Sequence, residues 1–268
     1  MIAHSSQLYN AANPAHWMRR AFIEPHSPHG QRLPWFNRSS MDQFGQCARD
    51  SLDYDSLEPY SKEGLVITAG NMIYLVRHGE TAWSITGQHT GLSDIPLTPR
   101  GEEDARALAP RLKDIAFDHV LSSPLQRARR TCELAGFLGV AKLDPDLVEW
   151  DYGDYEGRRL AQIHRERPEW ELFRDGSPGG ESVLQITQRV DRVMSRLRAV
   201  EGNILIFSSG HVLRVLGARW IGGAASLGRS LALDPTGVCV LGYEHDRRDS
   251  VIRLWNDRRV SQSSSTWC

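Results

Sequence analysis

The chain has 268 residues, 40% of them apolar and 24% charged, with a formal net charge of −1. That length suits one α/β domain with room for an appendage, and the near-zero charge speaks against nucleic acid or an anionic membrane as the main partner. No apolar run approaches the length of a membrane span, and no charged-then-apolar start resembles a secretory signal.

Residues 1–71 scatter His, Pro, Ser, Trp and Asn without a sustained period of two or 3.6, and Pro14, Pro25, Pro28, Pro34 and Pro59 interrupt them. They are expected to be a largely unstructured extension, with Met72 as an alternative start of the native chain. From Met72 strands alternate with helices. Met72–Val76 is an apolar strand followed by a long polar loop to Leu97. Thr98-Pro99 has the chemistry of a helix start, and Ala105, Leu108, Leu112 and Ile115 continue at spacings of three and four, with a kink expected at Pro110. Asp118–Leu121 reads as a second strand, and Ser123-Pro124 as the opening of a helix with Leu125, Ala128, Cys132 and Ala135 on one face. The segment from Val140 to Gly180 is irregular. A helix over Glu181–Val200 carries Val183, Ile186, Val190, Val193 and Leu197 in register. Asn203–Phe207 is a third strand, Gly210–Trp220 a buried helix, and Val238–Tyr243 with Val251–Leu254 a closing hairpin. This order predicts a three-layer α/β/α domain over 72–256 with a mainly parallel central sheet, and a flexible tail over 257–268.

Cys47, Cys132, Cys239 and Cys268 form neither a Cys-x-x-Cys pair nor a zinc-ligand spacing. They point to a reducing compartment, and the cytoplasm is the expected location. Three lysines stand against twenty-nine arginines, so an arginine has meaning only where its position gives it one.

Ligands of such sheets bind beyond the carboxyl ends of the strands. Arg77 and His78 close the first strand. Arg127 lies in the first turn of the helix after the second, where its side chain leans back toward the same edge. Gly210 and His211 follow the third, at a helix opening whose free N–H groups favour an anion. Two arginines and two histidines therefore converge, and charge and geometry describe a phosphate site. A zinc site built from His78, His211 and Glu149 matches a known ligand set, but two arginines beside it would repel a cation. No metal and no other cofactor is expected.

Arg77-His78-Gly79-Glu80-Thr81 followed by Pro96-Leu97-Thr98-x-x-Gly101 resembles the histidine phosphatase superfamily, the phosphoglycerate-mutase-like proteins. The resemblance continues through Ser122-Ser123-Pro124-Leu125-x-Arg127-Ala128, then Glu149 with Tyr152-Gly153-x-x-Glu156-Gly157, Gly179-Gly180-Glu181-Ser182, and Ser209-Gly210-His211. It implies that His78 attacks phosphorus, that Arg77, Arg127 and His211 clamp the phosphoryl oxygens, and that Glu149 protonates the leaving oxygen and then helps activate water. The string Ser84–Thr90 is similar to a phosphatase branch that includes sugar-bisphosphatase-type members, and it adds Ser84, Gln88 and Thr90 as candidate substrate contacts beside Gly210. The implied protein is a metal-independent phosphomonoester hydrolase acting on a small phosphorylated metabolite, with a sugar phosphate as the expected class. A phosphoglycerate mutase and a non-catalytic phosphate-binding module are the alternatives. Mutases resembling this chain usually carry an additional segment between the acid and the second histidine, and the short stretch from Glu149 to His211 favours hydrolysis. The sequence does not specify the oligomeric state.

Overall fold

The structure is a computed structural model that describes residues 71–259. The expected extension, apart from Asn71, and the tail beyond residue 259 lie outside the described residues.

Six strands form one sheet: β1 (Ile73–Arg77), β2 (His119–Ser122), β3 (Lys142–Leu143), β4 (Ile204–Ser208), β5 (Val238–Tyr243) and β6 (Ser250–Asp257). Their spatial order is β3-β2-β4-β1-β5-β6. The first four run parallel, whereas β5 is antiparallel to β1 and β6 to β5. The sheet is therefore mainly parallel with an antiparallel hairpin at one edge. β6 extends to Asp257, one residue into the expected tail, where Arg111 pairs with Asp257 at 3.1 Å.

β1 and β4 are apolar up to their last residues, Arg77 and Ser208, because both faces of the sheet are covered. Alternate residues enter different cores: Ile73, Leu75, Ile204 and Ile206 face one, Tyr74, Val76, Leu205 and Phe207 the other. On the first face lie α7 (Val183–Arg198) and α8 (Gly210–Trp220). Ser182 caps α7 reciprocally with Gln185, and Ile186, Val190, Val193 and Leu197 are buried at the helical spacing. The second face is covered by α2 (Pro99–Arg106), α3 (Ala109–Leu112) and α4 (Gln126–Leu134), through residues such as Leu108, Leu112 and Cys132. Pro110 does more than kink: the expected helix is divided into α2 and α3. Helix α4 begins two residues beyond Pro124, and its Gln126 N–H donates to Asp94 Oδ1 at 2.7 Å.

The polar loop after β1 contains α1 (Ala82–Thr86), capped by Thr81 in reciprocal hydrogen bonds with Ser84. The irregular segment carries β3, α5 (Leu160–Glu166) and α6 (Leu172–Asp175). These pieces bury few residues each, so their apolar period is too short to be legible.

Strand pairing brings the functional ends together. Arg77 lies opposite Ser208, and Phe207 lies opposite Val76 and Ser122. The pairing continues one residue past β1, where His78 N–H donates to Ser208 O at 2.9 Å.

Candidate active site

His78 is 4% exposed, and its Nδ1 lies 2.8 Å from Gly79 O. A carbonyl only accepts, so Nδ1 carries the hydrogen and Nε2 of the neutral ring is left with its lone pair. Burial, then Arg127, then Arg77 push the imidazole pKa well below the usual histidine value, against the opposing hydrogen bond to Gly79. The ring is thus neutral and nucleophilic near pH 7. Its backbone is fixed by a close crossing with the turn at the start of α2. Gly79 N–H donates to Thr131 Oγ1 at 3.0 Å, and a Cβ on Gly79 would stand 2.5 Å from Gly101 O. Gly101 is equally constrained, since its Cβ would stand 2.2 Å from Glu80 O. Both motif glycines are required by that contact.

Arg77 and Arg127 provide the cations in different ways. Arg77 lines the cavity beside His78, donates from Nη1 to Leu233 O at 2.5 Å, and keeps a buried Nε without a hydrogen-bond partner. Arg127 is fully buried and does not line the cavity. Its guanidinium donates to Ser93 O at 2.8 Å, Thr90 O at 3.1 Å and Gly91 O at 2.7 Å. Arg127 ties down the loop carrying Thr90 and acts on His78 as a buried charge. Its Nε, also unpartnered, and the second Nη1–H are the donors it has left.

Glu149 is 4% exposed and sits against the amino end of α8. Its Oε2 accepts from His211 N–H at 2.9 Å, and its Oε1 accepts from Val212 N–H at 2.8 Å and Trp150 N–H at 2.8 Å. This corrects the expectation of free N–H groups at the helix opening. The anion that α8 holds through those two groups is the protein's own carboxylate, oriented into the cavity.

His211 is set by a neighbour that sequence reading did not assign. Tyr152 OH lies 2.6 Å from His211 Nδ1. Burial first, then Glu149, raise the tyrosine pKa well above its ordinary value, so the hydroxyl is protonated and donates. Burial, Arg214, His89 and Arg77 push the His211 pKa well below the histidine norm. A neutral ring accepting at Nδ1 carries its hydrogen on Nε2. The two histidines therefore have opposite tautomers: His78 offers a lone pair and His211 an N–H.

The cavity between them holds about 180 Å³ and is also lined by Ser84, Gln88, His89, Thr90, Gly210, Arg214 and Leu233. The polar groups at the three loop positions have internal partners. Ser84 Oγ accepts from Thr81 N–H at 2.9 Å, Gln88 Nε2 donates to Gly157 O at 2.7 Å, and Thr90 Oγ1 donates to Gln88 O at 3.1 Å. Gly210 brings the backbone close to Arg77, whose Nε would lie 3.2 Å from an added Cβ. Sequence reading missed Arg214, yet the residue lies three positions after His211 and so shares its helix face. Its Nε donates to Gly228 O at 2.9 Å and its guanidinium stacks 4.8 Å over the Phe173 ring. His89 packs edge-on to Tyr152 at 4.8 Å, with Nδ1 against Arg158 O at 2.9 Å.

An α/β sheet that gathers a lone-pair histidine, a second histidine, two arginines and a carboxylate at its strand ends defines a phosphoryl-transfer scaffold. Residues 73–258 match the model of the histidine phosphatase superfamily (branch 1), and the chain belongs to that superfamily. It is 35% identical over 184 residues to an acid phosphatase of Mycobacterium tuberculosis, an alignment covering 67% of this chain and 90% of the relative. It is 37% identical over 181 residues to the sedoheptulose 1,7-bisphosphatase of Saccharomyces cerevisiae, covering 55% and 66%. A protein of Erwinia tasmaniensis named as a probable phosphoglycerate mutase is 36% identical over 171 residues, covering 60% and 80%. Among the described residues no helix is long and apolar enough to cross a membrane.

Proposed function

We propose that the protein hydrolyses small phosphomonoesters through a covalent phosphohistidine, without a metal ion. His78 Nε2 attacks phosphorus, the ester P–O bond breaks, and Glu149 delivers a proton to the departing alkoxide. Water then attacks the phosphorus, the N–P bond breaks, and Glu149 takes the proton that the water gives up. Through both steps Nδ1–H stays on Gly79 O, which supports positive charge on the ring as the N–P bond forms. Arg77 and His211 Nε2–H face the phosphoryl oxygens, and Arg127 adds positive charge from behind. The observation that carries this reading is the His78 tautomer, which presents a bare nitrogen between two guanidinium groups.

A sugar phosphate is the proposed substrate class. The similarity to a relative named for a sugar bisphosphate supports it, as do the small polar walls at Ser84, Gln88 and Thr90. Hydrolysis is favoured over transfer to a second substrate because the stretch from Glu149 to His211 is short and leaves the cavity open to water. Rapid-quench labelling with a ³²P-labelled sugar phosphate is expected to deposit acid-labile, base-stable label on His78, and His78→Ala to lose both label and turnover. Turnover that persists in His78→Ala, with no label in the wild type, would overturn the reading. Release of label to water rather than to added phosphoglycerate separates hydrolase from mutase.

A further inference from the structure

Helix α7 packs an apolar stripe against the sheet, yet Arg189 lies in that stripe between Ile186 and Val190 and is 7% exposed. A buried arginine is costly unless every donor finds a partner. All five are matched. Nε donates to Glu181 Oε1 at 2.8 Å, and Nη2 to Glu181 Oε2 at 2.7 Å and to Glu149 O at 3.1 Å. Nη1 donates to Asp146 O at 2.7 Å and Val148 O at 2.8 Å.

Three of these acceptors are backbone carbonyls of the irregular segment that carries Glu149. Glu181 grips the same segment from its other end. Its Oε2 accepts from Asp151 N–H at 3.0 Å, its N–H donates to Asp151 O at 2.9 Å, and its carbonyl accepts from Trp150 Nε1 at 2.9 Å. The backbone from Asp146 to Asp151 is thus fixed on both sides of Glu149 by one ion pair. The carboxylate of Glu149 is fixed separately by the amides of Trp150, His211 and Val212. No regular secondary structure holds residues 148–152. The pair supplies the rigidity that a strand or helix would otherwise give.

We infer that Arg189 and Glu181 are positioning residues for the Glu149 carboxyl, setting where the proton is delivered in ester cleavage. The inference rests on the proposed role of Glu149 as the acid. A lysine at 189 keeps the charge but has three donors on one nitrogen and cannot span a carboxylate and three carbonyls. General acids contribute about 10²- to 10⁴-fold, and a displacement of about 1 Å can cost 10²-fold. The expected effect of Arg189→Lys is therefore a loss of about 10- to 100-fold in the step that needs the proton.

Leaving-group dependence isolates that step. With the full chain in excess, single-turnover release of alcohol reports phosphoenzyme formation alone. Glycerol leaving from glycerol 2-phosphate needs a proton, whereas p-nitrophenolate leaving from its phosphate ester does not. Arg189→Lys and Glu181→Gln should both slow glycerol release at least tenfold more than nitrophenolate release, as Glu149→Gln should to a greater degree. A merely structural role would slow both esters alike. Equal slowing in the 189 and 181 variants, with Glu149→Gln still selective, overturns the positioning role alone. Lack of selectivity in Glu149→Gln removes the acid and this inference with it. If Arg189→Lys does not fold, Glu181→Gln, which keeps the shape and one acceptor, decides the question.

Discussion

The Tyr152 hydroxyl has one function the geometry makes measurable, which is to hold the hydrogen of His211 on Nε2. Tyr152→Phe removes the donor 2.6 Å from Nδ1 and little else, because the ring is 1% exposed and keeps its edge-on contact with His89. A buried acceptor left unpaired costs about 1–3 kcal/mol. The imidazole can recover part of that by moving its hydrogen to Nδ1, where Glu149 Oε2 stands 3.9 Å away. In doing so it turns a lone pair toward the phosphoryl oxygens. The switch removes one hydrogen bond to the transition state, about 1–3 kcal/mol, or roughly 5- to 150-fold in kcat/KM at 1.36 kcal/mol per factor of ten. Steady-state kinetics on a phosphate monoester should show that loss, with urea unfolding showing a destabilisation of no more than about 1–3 kcal/mol. Long-range ¹H–¹⁵N spectra should report His211 as the Nε2–H form in the wild type and a shift toward Nδ1–H in the variant. A switched tautomer with unchanged kcat/KM would show that Nε2–H donation is not needed. An unswitched tautomer with unchanged rate would show that Tyr152 does not set the His211 tautomer.

Two further outcomes follow from the same geometry. Arg127 is one of the two cations that, after burial, depress the His78 pKa, so its charge helps keep the nucleophile neutral as pH falls. Arg127→Met should raise that pKa and move the acid limb of kcat/KM to higher pH, whereas Arg127→Lys should leave the limb near its wild-type position while losing the bonds to Thr90, Gly91 and Ser93. Limbs that coincide in the two variants would sink the electrostatic role. At Gly79 a methyl would stand 2.5 Å from Gly101 O, and backbone cannot yield as a flexible side chain can. Gly79→Ala should destabilise by at least the roughly 1–3 kcal/mol of ordinary overpacking, read from urea unfolding, and should displace His78 enough to abolish most turnover. Wild-type stability and activity in that variant would contradict the close crossing.

The parts of this molecule that were legible in the sequence are those where a pattern repeats or a chemical type is rare. The apolar runs ending at Arg77 and Phe207 marked both histidines, because burial on two faces leaves no polar alternation to confuse the reading. Thr98-Pro99 marked α2 through its cap. The segment over 140–180 resisted for the opposite reason. Its helices are four and seven residues long and bury Leu172, Phe173 and Ile163, too few positions for a period to emerge. Arg214 was within reach, one turn beyond His211.

Glu149 and Arg127 show a different limit, which is that residue type and order do not reveal which partner a charged group chooses. Both were singled out for phosphate chemistry. Arg127 turned out to be held by three carbonyls, and the helix opening thought free for phosphate holds Glu149. These are one arrangement seen from two sides. A buried anion site lined by arginines needs its own carboxylate anchored away from them, or Arg77 and Glu149 would neutralise each other across the cavity. The amino end of α8 supplies that anchorage with N–H groups, and the Arg189–Glu181 pair fixes the backbone beneath it. The sequence does carry a trace of this second device. An arginine set in an otherwise apolar helical stripe must be fully paired to be tolerated, and on that ground Arg189 marks the segment it braces as one whose position matters.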